Sequence, residues 1–247
     1  MRIVQPPIDC RVCPLRLLPS FKPVTPAELA AIYASKVGQQ LMAPGSTILA
    51  EGQATARLYV LLAGWAFRFK TLEDGRRQIL NFLLPGDLLG LQGELLATLP
   101  HGVEALTAVN LCAFATDAVP GFFADLPGIA LDITWLAAHE ERLVDDAVLT
   151  VGRRTATERV AALLVHLYKR AASSGLAAED GIPFPITQAH IADALGLSPV
   201  HTNRVLQRLR KAGFITLEGQ RLAIGDLRAM RRIGEYWEQP APKRPLL

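Results

Sequence analysis

The chain has 247 residues, of which 50% are hydrophobic and 20% charged. This composition is too apolar for intrinsic disorder and is sufficient for one or two buried cores. No apolar run approaches the roughly 20 residues of a membrane-spanning helix, and Asp9 and Arg11 fall where a signal peptide is apolar. We therefore expect a cytoplasmic protein. The three cysteines are too few for a disulfide framework, which leaves metal binding, redox chemistry or plain burial as their role.

The net charge of +3 is unevenly divided along the chain. From Arg153 onward there are 15 Lys and Arg residues against 8 Asp and Glu, and the part before it has 11 against 15. A basic part joined to an acidic one is typical of a nucleic-acid-binding module attached to a non-binding module, because Lys and Arg neutralise phosphates. A solvated basic surface would show the same balance.

Residues 40–118 contain short segments in which apolar and polar side chains alternate, as in half-buried strands. The alternating residues are Tyr59, Leu61, Trp65, Phe67 and Phe69, and the glycines that separate the segments are Gly45, Gly52, Gly64, Gly75, Gly86 and Gly90. Asp74-Gly75 predicts a hairpin turn, because both residues tolerate positive φ. The region predicts a many-stranded antiparallel barrel or sandwich.

Helical spacing begins near Leu126. An apolar stripe with intervals of mostly three or four residues is formed by Ile129, Ile133, Leu136, Leu143 and Ala147. The stripe predicts a long helix that pairs with another helix, or one that packs on its own β-domain. A second helix follows, with Thr155 or Thr157 as its N-cap, and a polar connector rich in glycine and proline ends it.

The strongest local pattern is ITQAHIADALGLSPVHTNRVLQRLRKAGFITLEGQRLAI. Thr187 begins a helix, Gly196 supplies a tight turn, and Ser198 caps a second, basic helix. Val205 and Leu209 face inward in that second helix, which leaves its polar side chains free to read a major groove. The last ten residues of this pattern, ITLEGQRLAI, predict a small β-hairpin, the wing. The ordered set predicts a DNA-binding winged helix-turn-helix.

These segments resemble the Crp/Fnr family of transcription regulators over nearly the whole chain. PGSTILAEG, LYVLLAGWAFRF, DGRRQILNFLLPGDLLG and GEL are similar in order and glycine spacing to the family's cyclic-nucleotide-binding-like domain. The resemblance implies an α+β fold: an N-terminal antiparallel β-roll of the double-stranded jelly-roll type, a long dimerisation helix and a C-terminal winged helix-turn-helix. The implied domains are 1–125 for the N-terminal segment and β-roll, 126–152 for the dimerisation helix, 153–236 for the DNA-binding domain and 237–247 for a flexible tail.

The resemblance also implies a homodimer on double-stranded DNA with a two-fold operator, and RNA polymerase as a partner. The residues expected to contact DNA are Thr187, Gln188, Ser198, Pro199, Val200, His201, Asn203, Arg204, Gln207, Arg208 and Lys211. Family members carry Arg and Glu soon after the capping Ser, where this chain has Pro199 and Val200. Arg204 keeps the family's later Arg, and Arg geometry suits guanine O6 and N7. We therefore expect Arg204 to contact guanine in a half-site that departs from the family's.

Three signals for the N-terminal domain compete. Cyclic AMP binding in the family uses a Gly-Glu pair and then an Arg-Ser pair. Gly93-Glu94-Leu95 is present and His101 lies near the place of the Arg, but the stretch LLATLPHGVEAL contains no Arg. A buried phosphate would then lack its charge partner, so these residues form an effector pocket in which cyclic AMP is not expected.

The second signal is oxygen or redox state, sensed by an iron–sulfur cluster or by other thiol chemistry at Cys10, Cys13 and Cys112. The positions of these cysteines are similar to those in the family's oxygen-sensing branch. A [4Fe–4S] cluster normally takes four Cys, so Asp9 or a small molecule would complete the set, and burial alone would also explain Cys112. The third is an unidentified effector, or none.

An enzyme and a cyclic-nucleotide-controlled module without DNA binding are the other classes. The sequence contains no Gly-rich phosphate loop, no H-E-x-x-H and no G-x-S-x-G, and its five histidines are scattered. The basic helix-turn-helix argues against the second class. We expect a non-enzymatic regulator.

Overall fold

The structure is a computed structural model that describes residues 2–4, 8–237 and 243–247, without the side chains of residues 2–4 and Glu94. The chain divides into two compact units. Unit 1 comprises Met1–Lys70, Leu83–Arg142 and Ala241–Leu247, and unit 2 comprises Thr71–Phe82 and Leu143–Pro240. The division falls within a long helix, at Arg142, whereas the sequence placed boundaries at the two ends of that helix.

Nine strands form two antiparallel sheets and confirm the β-roll. The strands are β1 (Arg2–Val4), β2 (Lys36–Met42), β3 (Thr47–Leu49), β4 (Arg57–Ala63), β5 (Ala66–Thr71), β6 (Arg77–Leu83), β7 (Leu88–Leu89), β8 (Gly102–Ala105) and β9 (Val109–Ala115). One sheet has the order β1-β2-β9-β4-β7 and the other β3-β8-β5-β6. Gly75 has a φ of +85° in the turn before β6, as the Asp-Gly pair predicts.

Strand β9 separates two cores, because successive side chains of a strand point to opposite faces. Leu111 and Ala113 belong to the inner core, a buried cluster of the β-roll that also contains Leu61 and Leu83. Cys112 and Phe114 point the other way, into the outer core. The outer core is completed by side chains from the N-terminal segment, from the helices described next and from the chain end.

The helical elements of unit 1 surround the outer core. Two 3₁₀ turns, Cys10–Val12 and Pro14–Leu17, precede α1 (Pro26–Ala34), and α2 (Leu91–Leu96) and α3 (Ala118–Asp125) lead to α4 (Pro127–Arg153). α1 begins with a capping box of Thr25 and Glu28. Among the described residues no single helix passes as a candidate membrane span, although α3 and α4, bent by 118°, pass together by length and composition.

In the first half of α4, the predicted stripe packs on its own β-domain, which is the second of the two arrangements that the sequence left open. Ile129, Ile133 and Leu136 are 1%, 2% and 5% exposed, because they pack in the outer core of their own chain. Leu143 and Ala147 are half-buried. The exposed large apolar residues of α4 are instead Leu131, Val144, Val148, Leu149 and Val151.

The last five residues pack in unit 1, which differs from the flexible tail predicted for 237–247. Arg244 forms an ion pair with Asp87, and its backbone bridges to that of Phe21. Leu246 and Leu247 are buried in the outer core. The apolar chain end therefore contributes to the N-terminal domain, while residues 238–242 lie outside the described part.

Unit 2 contains the predicted winged helix-turn-helix. Its elements are α5 (Ala156–Ser173), β10 (Ile182–Pro183), α6 (Gln188–Leu195), α7 (Pro199–Lys211), β11 (Ile215–Glu218), β12 (Arg221–Ile224) and α8 (Leu227–Ile233), with sheet order β10-β12-β11. Thr155 is the N-cap of α5, in a capping box with Glu158. Seven buried residues of α5 provide the core against which the other helices pack.

Candidate DNA interface and cysteine site

Local capping fixes the two helices of the DNA-binding motif. The Thr187 hydroxyl accepts a hydrogen bond from His190 N at the start of α6, and Gly196 ends α6 with a φ of +62°. Ser198 Oγ then accepts from His201 N, and Pro199 occupies the first turn of α7, where its missing N–H costs nothing. The caps predicted at Thr187, Gly196 and Ser198 are therefore where the structure places them.

Helix α7 has one buried and one exposed side. Val205 and Leu209 are buried as predicted, and Thr202 and Leu206 are buried beside them. All eleven residues expected to contact DNA are exposed. Five of them follow each other at helical spacing on the side opposite the core: Val200, Asn203, Arg204, Gln207 and Lys211. The structure thus brings the predicted base-reading residues together on one face.

Contacts with neighbouring elements position this face. Gln188 Nε2 donates to Asn203 Oδ1 at 3.3 Å, which links the start of α6 to α7. Arg208 Nη1 donates to Thr157 Oγ1 at 3.4 Å, so Arg208 is anchored to α5. Strands β11 and β12 form the wing, and Gly219 and Gln220 have φ of +55° and +59° in its two-residue turn. A groove of about 560 Å³ is lined by residues of α6, α7 and the wing, including Arg210.

Unit 1 brings the three cysteines into one place. Cys10 opens the first 3₁₀ turn, which Asp9 caps, and Cys13 precedes the second. Both pack with Cys112 of β9 in the outer core, and all three are buried free thiols. Their sequence separation is bridged because the N-terminal segment lies against the outer face of the β1-β2-β9-β4-β7 sheet.

Two cations approach the thiols. Lys36 Nζ lies 4.0 Å from Cys10 Sγ and donates to Ile8 O at 2.6 Å. Burial raises the pKa of the Cys10 and Cys112 thiols, and Lys36 opposes this in both cases. Burial also lowers the pKa of Arg16, which the three cysteines oppose. Sequence reasoning missed Lys36 and Arg16; the position of Arg16, three residues after Cys13, was the only available signal.

The described residues do not form a preformed site for a single metal ion, since no three His, Cys, Asp or Glu side chains among them have the required arrangement. A cluster of several atoms does not require its thiolates to converge on one point. Asp9 is engaged elsewhere: its carboxylate accepts hydrogen bonds from Arg11 N and from the Arg11 guanidinium. The structure therefore gives no support to Asp9 as a fourth ligand.

Among the predicted effector residues, Leu95 and His101 lie in different surroundings. Leu95 is exposed, and the side chain of Glu94 lies outside the described part. A side chain at Gly93 would collide with Thr55 and Leu99. His101 is buried, and burial together with Arg68 and Lys70 lowers its pKa to about 3. Arg68 is itself paired with Glu140 of α4 at 2.5 Å, so this guanidinium already has a charge partner.

These features define a class of protein: an N-terminal β-roll joined through a long helix to a winged helix-turn-helix that presents a basic reading helix. Comparison with known protein families supports both parts of this architecture. Residues 39–125 match the cyclic nucleotide-binding domain family and residues 158–233 match the Crp-like helix-turn-helix domain family.

Relatives extend the match over most of the chain. The nitrogen fixation regulation protein FixK of Bradyrhizobium diazoefficiens is 33% identical over 210 residues, which are 84% of this chain and 86% of FixK. The transcriptional activator protein FnrL of Cereibacter sphaeroides is 29% identical over 218 residues, 87% of each chain. The solved structure of FixK2 from Bradyrhizobium japonicum has a TM-score of 0.72 at 25% identity, covering 79% of this chain and 96% of that one. The chain belongs to the Crp/Fnr family: it is a DNA-binding transcription regulator and not an enzyme.

Proposed function

We propose that the protein acts as a homodimer that reads a two-fold symmetric operator with α7. The observation that carries the proposal is the exposed face of α7, where Asn203, Arg204 and Gln207 stand beside Lys211. Arg suits bidentate contact with guanine and Asn or Gln with adenine, while Lys and the capped N-termini of α6 and α7 suit phosphates. Pro199 and Val200 extend the same surface with apolar contacts.

A second copy of this chain is the expected partner of α4. Leu131 and Val148 are 66% and 63% exposed, with Val144 and Leu149 half exposed between and beside them. Apolar residues along one long helix are stabilised by a symmetric partner helix, which also sets the distance between two recognition helices on DNA. This face replaces the stripe that the sequence predicted, because three residues of that stripe are used inside the chain.

The dimer is tested with Val148→Asp. We expect analytical ultracentrifugation to show monomers, and DNA affinity to fall because one half-site alone is bound. Phe123→Asp is the matched control, since Phe123 is an exposed apolar residue of α3, and it should remain dimeric. A wild-type protein that stays monomeric on DNA contradicts the two-fold arrangement.

The operator is tested by selecting ligands for the purified protein from random duplex DNA. We expect a motif with two inverted half-sites, and an affinity that falls with salt as phosphate contacts require. An asymmetric motif, or binding that salt leaves unchanged, contradicts the proposal.

FnrL is named a transcriptional activator, and this supports RNA polymerase as a further partner and activation as the outcome. A regulator with these partners works where the chromosome is, which in a bacterium is the cytoplasm.

A second proposal concerns the signal: Cys10, Cys13 and Cys112 hold an iron–sulfur centre. Three soft thiol ligands in one core support it. When bound, the centre would supply a redox-sensitive group to the core that also contains Ile129 and Ile133 of α4, and Cys10, Cys13 and Cys112 would thereby link its presence to the position of α4. A small molecule would fill a fourth iron position.

An unidentified effector is the remaining alternative. Cyclic AMP is not supported, because Arg68 is already paired and aliphatic side chains fill the inner core.

Anaerobic purification followed by iron, sulfide and visible absorption analysis tests this proposal. Up to four iron atoms per chain are expected for a [4Fe–4S] centre, together with a change in DNA binding after exposure to air. Less than about one-tenth of an iron atom per chain would contradict the cluster and leave the DNA-binding assignment intact.

A further inference from the structure

Arg16 carries a buried cationic group that interacts electrostatically with all three thiols. It lies in the second 3₁₀ turn, and among the described residues its Nη1 and Nη2 atoms are buried without a hydrogen-bond acceptor. Negative charge on Cys10, Cys13 or Cys112 would interact favourably with its guanidinium. Removing a guanidinium from water without an acceptor is costly, and such groups are rare in folded proteins.

Gln39 adds a second unsatisfied donor on the same side of the sheet. It is paired with Cys112 in the register of β2 and β9, and side chains of directly paired residues share one face. Its Oε1 accepts from Ile8 N at 3.2 Å, whereas its buried Nε2 has no acceptor within the described chain. Gln39 is therefore held beside Cys112 by the segment that carries Cys10.

Lys36 completes the set, because its ammonium group donates to Ile8 O and also reaches Cys10 Sγ. Two cations and one amide thus lie near the three cysteines, and each offers a hydrogen-bond donor. A water molecule would satisfy part of this arrangement, but a neutral molecule would not balance two positive charges. The chemistry that fits is an anionic group rich in hydrogen-bond acceptors.

We propose that Arg16, Lys36 and Gln39 are positioning residues that donate hydrogen bonds to the sulfur atoms of the anionic iron–sulfur centre held by the three cysteines. The inference rests on the proposed cluster. Hydrogen bonds to sulfur and nearby positive charge help to set the reduction potential of such centres, and residues just outside the ligands influence metal affinity. Loss of Arg16 therefore weakens iron binding and makes the reduction potential more negative.

The test compares Arg16→Leu with Arg11→Leu in the full-length protein, purified without air. Both changes remove an arginine from the same segment, but the Arg11 side chain is 77% exposed and paired with Asp9. For Arg16→Leu we expect iron affinity to fall by about 10-fold or more, with a more negative midpoint potential in a dye-mediated titration. Arg16→Lys should restore part of the iron affinity and part of the midpoint potential. Arg11→Leu should change neither the affinity nor the potential.

The stability of the metal-free protein separates this role from a structural one. Because an unpaired buried charge is removed, Arg16→Leu should raise the urea midpoint of the metal-free protein while it weakens iron binding. A structural arginine would lower the midpoint. Gln39→Leu provides a second variant without a change of charge, and it should also shift the potential to more negative values.

The outcomes distinguish the two proposals. Wild-type protein that binds iron and sulfide, with Arg16→Leu unchanged in affinity and potential, overturns this inference and leaves the cluster standing. A lower urea midpoint for metal-free Arg16→Leu also overturns it. Wild-type protein without iron and sulfide overturns the cluster, and this inference with it.

Discussion

The recognition helix and the cysteine site hold their cations in opposite surroundings. Arg204 and Lys211 of α7 extend into water, whereas Arg16 ends in a protein core with its Nη atoms buried. An exposed cation remains hydrated until a phosphate or base replaces its water, so its loss affects binding and scarcely affects folding. The desolvation of a buried charge is part of the free energy of folding. Removing that charge, or pairing it with an opposite charge, therefore changes the stability of the folded protein directly. Four predictions test this contrast.

The largest effect is expected for Arg244→Ala. The change removes the ion pair of Arg244 with the fully buried Asp87 carboxylate, and removing one member of a buried pair costs about 3 kcal/mol or more in the free energy of unfolding. Urea unfolding followed by tryptophan fluorescence measures it, since Trp65 and Trp135 both lie in unit 1. Lys243→Ala, an exposed neighbour, should cost less than about 0.5 kcal/mol. If Arg244→Ala and Lys243→Ala lower the free energy of unfolding equally, burial of the ion pair does not determine the loss of stability.

Arg204→Ala should alter DNA recognition and leave stability unchanged. Loss of a bidentate guanine contact costs about 1–3 kcal/mol of binding free energy and relaxes specificity at one position of each half-site. Fluorescence anisotropy with the selected operator and with random DNA measures both, and Arg76→Ala, an exposed arginine of the β5–β6 turn, is the control. Equal losses on the two DNAs would show that Arg204 only positions the helix.

His101 links burial to pH. The unfolded chain takes up a proton near pH 6.5 and the folded protein only near pH 3, so protonation between these values stabilises the unfolded state. His101 should therefore contribute a fall of about 1.4 kcal/mol in the free energy of unfolding per pH unit as the pH decreases below 6.5, and no slope well above it. Unfolding at pH 6 and pH 5 measures the slope above the range where carboxylates titrate. If His101→Gln keeps the same slope, another group is responsible.

The smallest effect is expected for Lys211→Ala. If Lys211 contacts a phosphate, its loss weakens binding to all sequences alike and reduces the slope of log affinity against log salt by about one. Affinity measured at several salt concentrations tests this. An unchanged slope would remove Lys211 from the phosphate contacts while leaving Arg204 as a base contact.

Sequence patterns predicted the parts of the molecule that depend on neighbouring residues. Thr187, Gly196 and Ser198 act on backbone groups a few residues away, so the caps and the turn of the helix-turn-helix could be identified before the structure. The alternation in residues 40–118 likewise predicted the β-roll, and Asp74-Gly75 predicted its turn. The dimer stripe was predicted less well, because periodicity shows that Ile129, Ile133 and Leu136 are buried but not what buries them.

By itself, the sequence determined the β-roll, the long helix, the winged helix-turn-helix and the exposed face of α7, because helix caps, turns and side-chain periodicity act over a few residues. Only the tertiary structure decided that Arg244 pairs with Asp87 and that Leu131 and Val148 rather than Leu136 remain exposed. It also decided that Gln39 lies opposite Cys112 and that the Arg16 charge interacts with the thiols. These contacts join residues far apart in the chain, and their energies come from burial and unpaired charge. Neither quantity has a sequence pattern, because each depends on which surfaces the folded chain brings together.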